Sequence, residues 1–391
     1  MSTNDPRLLR MDNEPRDYAW GIPGGISRLL GRPETTRPEA ELWLGAHPGS
    51  PSRILGDSRW SDVAEWEADH DPLPFLMKLL AAEAPLSLQA HPSAEQARAG
   101  YRRENELGIP LDSPDRNYKD PHAKPELIVA ISDDFEALCG FRPVEQTRQV
   151  LAGIAAAWPS VAPDVHALSA RLTGDLGLRE TFRRLLQDDD DVRRLTSGLC
   201  DAAASDPTRF PLLTRLASHH PGDPGVAAAL LLNHVELASG ECLWLPAGNI
   251  HAYLHGIGVE LMGPSDNVLR GGLTAKHVDA DQLLDVLDFT TGEPERLGRI
   301  PLGAHAQAYR PAQHPSGKGT PFQLIHVDGD ARLEVSAGSI IAIVSGAFDL
   351  DAGDRSHTVA PGDFFLVSTS GPVTITGRGG AFIATTEAID A

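Results

Sequence analysis

Cysteine is scarce in this chain, with three in 391 residues, at Cys139, Cys200 and Cys242. They are odd in number, far apart and without a CxxC pair. That pattern argues against a disulfide framework or a thiolate metal site and suits a reducing cytoplasm. Long apolar runs are missing too. Nothing approaches the roughly 18 consecutive apolar residues of a membrane-spanning helix, and the opening MSTNDPRLLRMDNEP has no apolar secretion core. Positive charge is in deficit, since 34 Lys and Arg against 54 Asp and Glu leave a net charge of −20. That field repels nucleic acid and anionic membranes, and no basic patch interrupts it, so neither is expected as a partner. An anionic small molecule would need Lys and Arg gathered locally. No Gly-rich phosphate loop accompanies a basic residue, which disfavours a nucleotidyltransferase.

What is present is a chain 41% hydrophobic, enough for two or three domains with ample cores. Residues 1–142 alternate short apolar runs (ISRLLG, AELWLGAHPG, PFLMKLL) with Gly and Pro turns, the texture of packed β-strands with short helices. From 143 to 225 the period changes. Arg142 to Trp158, Asp175 to Ala204 and Phe210 to His219 carry apolar residues at three and four spacings, with Pro143 placed for a first helical turn. QDDDDVRR, at 187–194, reads as a solvated charge run rather than a metal site. Residues 226–290 return to β texture, and 291–391 read as a second β-domain of short strands such as LEVSAGSIIAIVSG and HTVAPGDFFLVS. The expected class is mainly β with a helical insertion.

Three apolar β-segments contain polar intrusions. In PLSLQAHP (85–92), alternation puts Ser87, Gln89 and His91 on one side of a strand and Leu86, Leu88 and Ala90 on the other. In YKDPHAKPELIVAI (118–131), Lys124, Glu126 and Ile128 share a face opposite Leu127, Val129 and Ile131. GECLWLPAGNIHAYLHGIGVELM (240–262) reads as a strand, a turn at Pro246 to Asn249, and two extended runs around Gly256 and Gly258, with His251 and Glu260 facing the same way. Together Gln89, His91, Glu126 and His251 offer two imidazoles, a carboxylate and an amide oxygen, which suits Zn²⁺ with an open position and Fe²⁺, Mn²⁺ or Co²⁺ nearly as well. The chemistry of these residue types is equally compatible with four separately satisfied core polar groups.

The blocks LPFLMKLL and LSLQAHPS (73–94), YKDPHAKPEL (118–127) and GNIHAYLHGIGVELMGPSDNVLRGGLTAKHVD (248–279) resemble the diagnostic blocks of class I mannose-6-phosphate isomerases, of the cupin superfamily. YAWG at 18–21 and ELWLGAHPGSPS at 41–52 fit the same family in the same order. The resemblance implies two cupin-type jelly-roll β-barrels plus an α-helical domain. On that reading, 1–142 with 226–290 form the catalytic metal-binding cupin domain, 143–225 the helical insertion and 291–391 a C-terminal jelly roll without metal. APGDFFLVSTSG (360–371) faintly echoes ASGECLWLPAG (238–248), as two barrels descended from one unit would. The resemblance also implies one Zn²⁺ per chain on Gln89, His91, Glu126 and His251.

The implied activity is reversible conversion of D-mannose 6-phosphate and D-fructose 6-phosphate, feeding mannose catabolism or GDP-mannose supply. Moving the carbonyl from C1 to C2 takes a proton from C2, returns one at C1 and passes through an enediolate that the metal stabilises. Arg270 would clamp phosphate or an enediolate oxygen with its planar fork. Lys124, Glu260 and Asp266 are the candidate proton carriers, with Lys124 mildly favoured because a nearby cation eases its deprotonation. Ser87, Lys78, Lys276 and Trp20 are assigned to the substrate, and His47 is read as structural. The family often has a histidine directly before the lysine; here Ala123 stands there and His122 one place earlier. A cytoplasmic monomer acting on a small sugar phosphate is expected. A cupin oxygenase or decarboxylase would also want two histidines and a carboxylate, but it would not predict Arg270, Lys124 and Lys276 nearby. A non-catalytic sugar-binding cupin would have lost ligands.

Overall fold

The computed structural model describes residues 6–386. Two ten-stranded sheets carry the architecture, with a layer of helices between Val144 and Ala228. The first sheet is built around one long strand, His251–Met262, whose halves have different neighbours. His251 to His255 pair with Phe135–Phe141, and His251 also with Gln89; Gly256 to Met262 pair with Leu76–Ala82 and, over most of that length, Glu126–Ala130.

That change of partner has a local cause. The register slips between Tyr253 and His255, and Gly256 follows at φ +104°, where a Cβ would meet the Phe135 Cα at 2.6 Å. Only glycine fits there. The two extended runs expected from the sequence are thus one bulged strand. Nine positions separate His251 from Glu260, so strict alternation would put them on opposite faces. The bulge corrects the phase, and the Tyr253 hydroxyl donates to Glu260 Oε1 at 2.9 Å across it.

Alternation elsewhere in the sheet is regular and decides what is buried where. Leu80, Ala82, Ile128 and Ala130 pack with Phe135 and Tyr253 in one cluster. Their sequence neighbours Leu79, Ala81, Leu127 and Val129 pack instead with Met11, Phe364 and Phe382, joining the first sheet to the second. Each fully buried Leu or Phe in that joint contributes about 1.5–3 kcal/mol by leaving water. The second sheet holds the strands from Ile300 onward, including Ile340–Asp351 and Gly371–Thr385. It also takes in the first strand of the chain, Leu8–Asp12, where Leu8 to Met11 pair antiparallel with Phe364–Val367.

Two other expectations need adjustment. The segment 85–92 forms ladder pairs only at Gln89–Ala90 and is otherwise irregular. In the helical region, the stretch from Asp175 to Ala204 is two helices, Gly177–Leu186 and Asp190–Ser205, broken where Asp188 takes a left-handed φ of 48° and Asp189 caps the second helix by accepting from Asp191 N and Val192 N. A further helix, Ala162–Arg171, fills the gap after Trp158. The QDDDDVRR run lies on the surface, its aspartates paired with Arg184, Arg193 and Arg194. Among the described residues no helix is long and apolar enough to cross a membrane.

Candidate metal centre and active cleft

Strand pairing brings the four proposed donors together. Gln89 lies directly opposite His251, and Glu126 enters its strand beside them, just after Lys124 and Pro125. His91 Nε2 is 3.3 Å from Glu126 Oε1, and His251 Nε2 is 3.3 Å from Glu126 Oε2. All three side chains are about 1% exposed, and a ligand atom from each lies within 4.8 Å of the others. Gln89 Nε2 is 3.4 Å from His251 Nε2, so a half-turn of the near-isosteric amide presents its oxygen to the same point.

These groups fit a metal better than they fit one another. His91 Nε2 and Glu126 Oε2 are buried with no properly oriented hydrogen-bond partner, a costly arrangement unless a cation sits between the lone pairs. Each imidazole uses its other nitrogen, His91 Nδ1 meeting the Asn267 carbonyl at 2.7 Å and His251 Nδ1 the Asn249 carbonyl at 3.1 Å. Donation there fixes the tautomer that leaves Nε2 as a lone pair. Burial pushes His91 down to about 4, against the pull of Glu126, so its ring is neutral at pH 7. Burial would raise Glu126, but the Lys124 ammonium at 3.0 Å holds it well below the usual carboxylate range. Two imidazoles, a carboxylate and an amide oxygen form a donor set that zinc accepts with a position open.

Above this floor opens a cleft of about 1260 Å³. Every remaining site residue inferred from the sequence lines it: Trp20, Lys78, Ser87, Lys124, Glu260, Asp266, Arg270 and Lys276. Among the described residues no carboxylate pairs with the Arg270 guanidinium, whose only shift is a lowering by burial. Lys276 is lowered by burial and then by Arg270 and Lys119, so this rim is a cluster of cations in want of an anion. Burial pushes the Glu260 carboxyl up, opposed by Lys78 at 3.3 Å and reinforced by the charges of Glu126 and Glu41. Asp266 is held down, chiefly by its contact with His47 Nε2 at 3.2 Å. His47 therefore supports a cleft residue from behind. The His122 ring is exposed, while its carbonyl accepts from Asn267 Nδ2 at 2.9 Å.

Sequence reasoning missed Glu41, Tyr253 and Lys119. Glu41 accepts from Trp43 Nε1 at 2.7 Å and stands 3.6 Å from Lys78 Nζ. Its signal was the same as for Glu126, a carboxylate inside an apolar strand (AELWLG). Tyr253 sits two places after His251, on the same face. Lys119 is exposed on the cleft wall, and nothing in YKDP marks it.

Residues 8–144 match the family model of the phosphomannose isomerase type I catalytic domain. The chain is 33% identical to the mannose-6-phosphate isomerase of Escherichia coli K12, over 95% of this chain and 98% of that one. It is 30% identical to the rat mannose-6-phosphate isomerase over 88% of each. Among solved structures, a variant of phosphomannose isomerase from Salmonella typhimurium superposes with a TM-score of 0.85 at 28% identity, covering 98% of this chain and 100% of that one. A mannose 6-phosphate isomerase bound with zinc and yttrium gives 0.85 at 29%, with the same coverage. With the buried donor set and the cationic cleft already in place, these likenesses over nearly its full length show that the chain belongs to the type I mannose-6-phosphate isomerase family.

Proposed function

We propose that this protein interconverts D-mannose 6-phosphate and D-fructose 6-phosphate, with Gln89, His91, Glu126 and His251 holding one zinc ion. The observation that supports this best is a single cleft containing both a buried His–Glu–His set with orphaned lone pairs and a rim of two cations, Arg270 and Lys276, with no carboxylate partner among the described residues. The first suits a polarising ion and the second a dianionic phosphate. When bound there, zinc supplies Lewis acidity toward the sugar oxygens at C1 and C2. Arg270 and Lys276 bind and orient the anionic substrate, Arg270 presenting a planar fork and Lys276 a point charge. Trp20 and Ser87 complete the wall against which the sugar packs.

The reaction needs one group to take the C2 proton and return it at C1. Glu260 suits the task better than Lys124. Burial raises its carboxyl toward the pH at which it would work, whereas the Lys124 side chain is already engaged with Glu126 at 3.0 Å. Asp266, held low by His47, is too weak a base. Lys78 and the Tyr253 hydroxyl fix the Glu260 carboxyl from two sides. An oxygenase on the same three ligands is disfavoured, since it would have no use for a cationic rim.

The test is a coupled assay of the purified protein on mannose 6-phosphate and glucose 6-phosphate, beside elemental analysis. Production of fructose 6-phosphate from the mannose ester by protein containing about one zinc per chain is expected. Zinc-loaded protein inert toward mannose 6-phosphate would refute the proposal.

A further inference from the structure

Asn267 is fully buried and does not line the cleft, yet it makes more hydrogen bonds than any ligand does. Its Oδ1 accepts from the backbone N–H of Lys119 at 2.7 Å and of Asp120 at 3.2 Å. Its Nδ2 donates to the carbonyls of Asp120 at 2.8 Å and His122 at 2.9 Å, with Asp120 Oδ1 at 3.2 Å. Its own carbonyl accepts from His91 Nδ1. The interlock is reciprocal, because Asp120 Oδ2 accepts from Asp266 N at 2.8 Å and Ser265 Oγ donates to the His122 carbonyl at 3.2 Å.

Two loops are thereby pinned to each other. One carries Lys119 and leads into Lys124 and Glu126; the other carries Asp266 and leads into Arg270. A side chain with every polar atom used, deep in an irregular region with no sheet ladder to hold it, sets the spacing between these loops to within the tolerance of a hydrogen bond. Through its carbonyl the same residue sets the angle of the His91 ring. We infer that Asn267 is a positioning residue that ties the metal ligand His91 to the cationic substrate rim, so that loss of its amide weakens zinc binding and substrate binding together. This rests on the zinc-isomerase reading above.

A buried asparagine can also be merely structural, and the test must separate the two. Zinc dissociation constants would be measured on the full chain, stripped of metal, by competition with a chromophoric chelator, together with KM for mannose 6-phosphate and the unfolding midpoint of the apoprotein. The variants are Asn267→Ala; Asn267→Asp, which keeps the acceptor and loses the donors; and Asp120→Asn, on the half-buried partner loop, should the first two fail to fold. Asn13→Ala is the control: it removes a buried asparagine that donates to the Trp43 and Ser50 carbonyls away from the zinc ligands.

The Asn267 variants are expected to bind zinc about 10- to 100-fold more weakly, with KM raised, while Asn13→Ala loses unfolding midpoint but keeps the parent zinc affinity. Parent-like zinc affinity in the folded Asn267 and Asp120 variants would overturn the inference. So would an equal loss in Asn13→Ala. A parent protein that itself binds no zinc would instead remove the functional reading beneath it.

Discussion

Lys78 and Glu260 face one another across adjacent antiparallel strands, Nζ to Oε2 at 3.3 Å, both side chains less than a tenth exposed. With Glu41 at 3.6 Å on the other side, the ammonium neutralises two buried carboxylates. Burial alone would lower its pKa, but Glu41 and Glu260 more than offset that and hold it above the ordinary lysine value.

Removing that charge strands both acids. Lys78→Met, which preserves the apolar stem, should destabilise the protein by about 3–5 kcal/mol in urea unfolding at pH 7. A loss below about 1 kcal/mol would mean that Glu41 and Glu260 find other compensation.

Chelation should abolish turnover and zinc should restore it. The apoprotein should also melt earlier, since a ligand held at a hundred times its dissociation constant stabilises the folded state by about 2.7 kcal/mol. A melting curve indifferent to zinc would disconnect the His91, Glu126 and His251 cluster from any metal.

Arg270→Ala should lower kcat by at least about a hundredfold at unchanged metal content, because among the described residues no carboxylate pairs with the guanidinium. Near-parent turnover would make Arg270 an ordinary surface charge.

Glu260→Gln should lower kcat by about 10²- to 10⁴-fold and suppress exchange of the C2 proton with deuterated solvent, zinc content being retained. Rapid exchange in this variant, together with its loss in Lys124→Met, would transfer the proton-carrying role to Lys124.

Outside the cleft, Glu136 is held below the ordinary glutamate range, chiefly by the contact with His234 at 3.0 Å, with burial opposing and Arg215 at 2.8 Å assisting. A depressed carboxylate stabilises the folded state above its unfolded pKa of about 4.3 and loses that contribution as pH falls through the folded value. Unfolding midpoints of the parent and Glu136→Gln should therefore diverge above about pH 5 and converge toward pH 3. Parallel curves would leave this ion pair without a stabilising role.

The proposed donors stood out in the sequence because each is a polar residue set in an apolar run. Lys124, Glu126 and Ile128 share a face as alternation requires, and Ile128 indeed packs apart from Leu127 and Val129. Relations set by the path of the chain were not legible. The sequence put His251 and Glu260 on one side and marked a break around Gly256, but not its cause, the close pass of Gly256 by Phe135. Nor could spacing reveal that Glu41 shares Lys78 with Glu260, or that His47, lodged in a turn, backs Asp266. The break at Asp188 was hidden for another reason. Aspartate tolerates the left-handed conformation without the glycine that usually marks a helix end.

The second sheet is completed by joining segments far apart in the sequence, since Leu8–Asp12 pairs with Phe364–Val367. Closing so long a connection is slow, and until Phe364–Val367 is in place one edge of Leu8–Asp12 stays unpaired while the other meets Arg53–Ile54. A chain cut before Phe364 would leave that edge open to pairing with other strands.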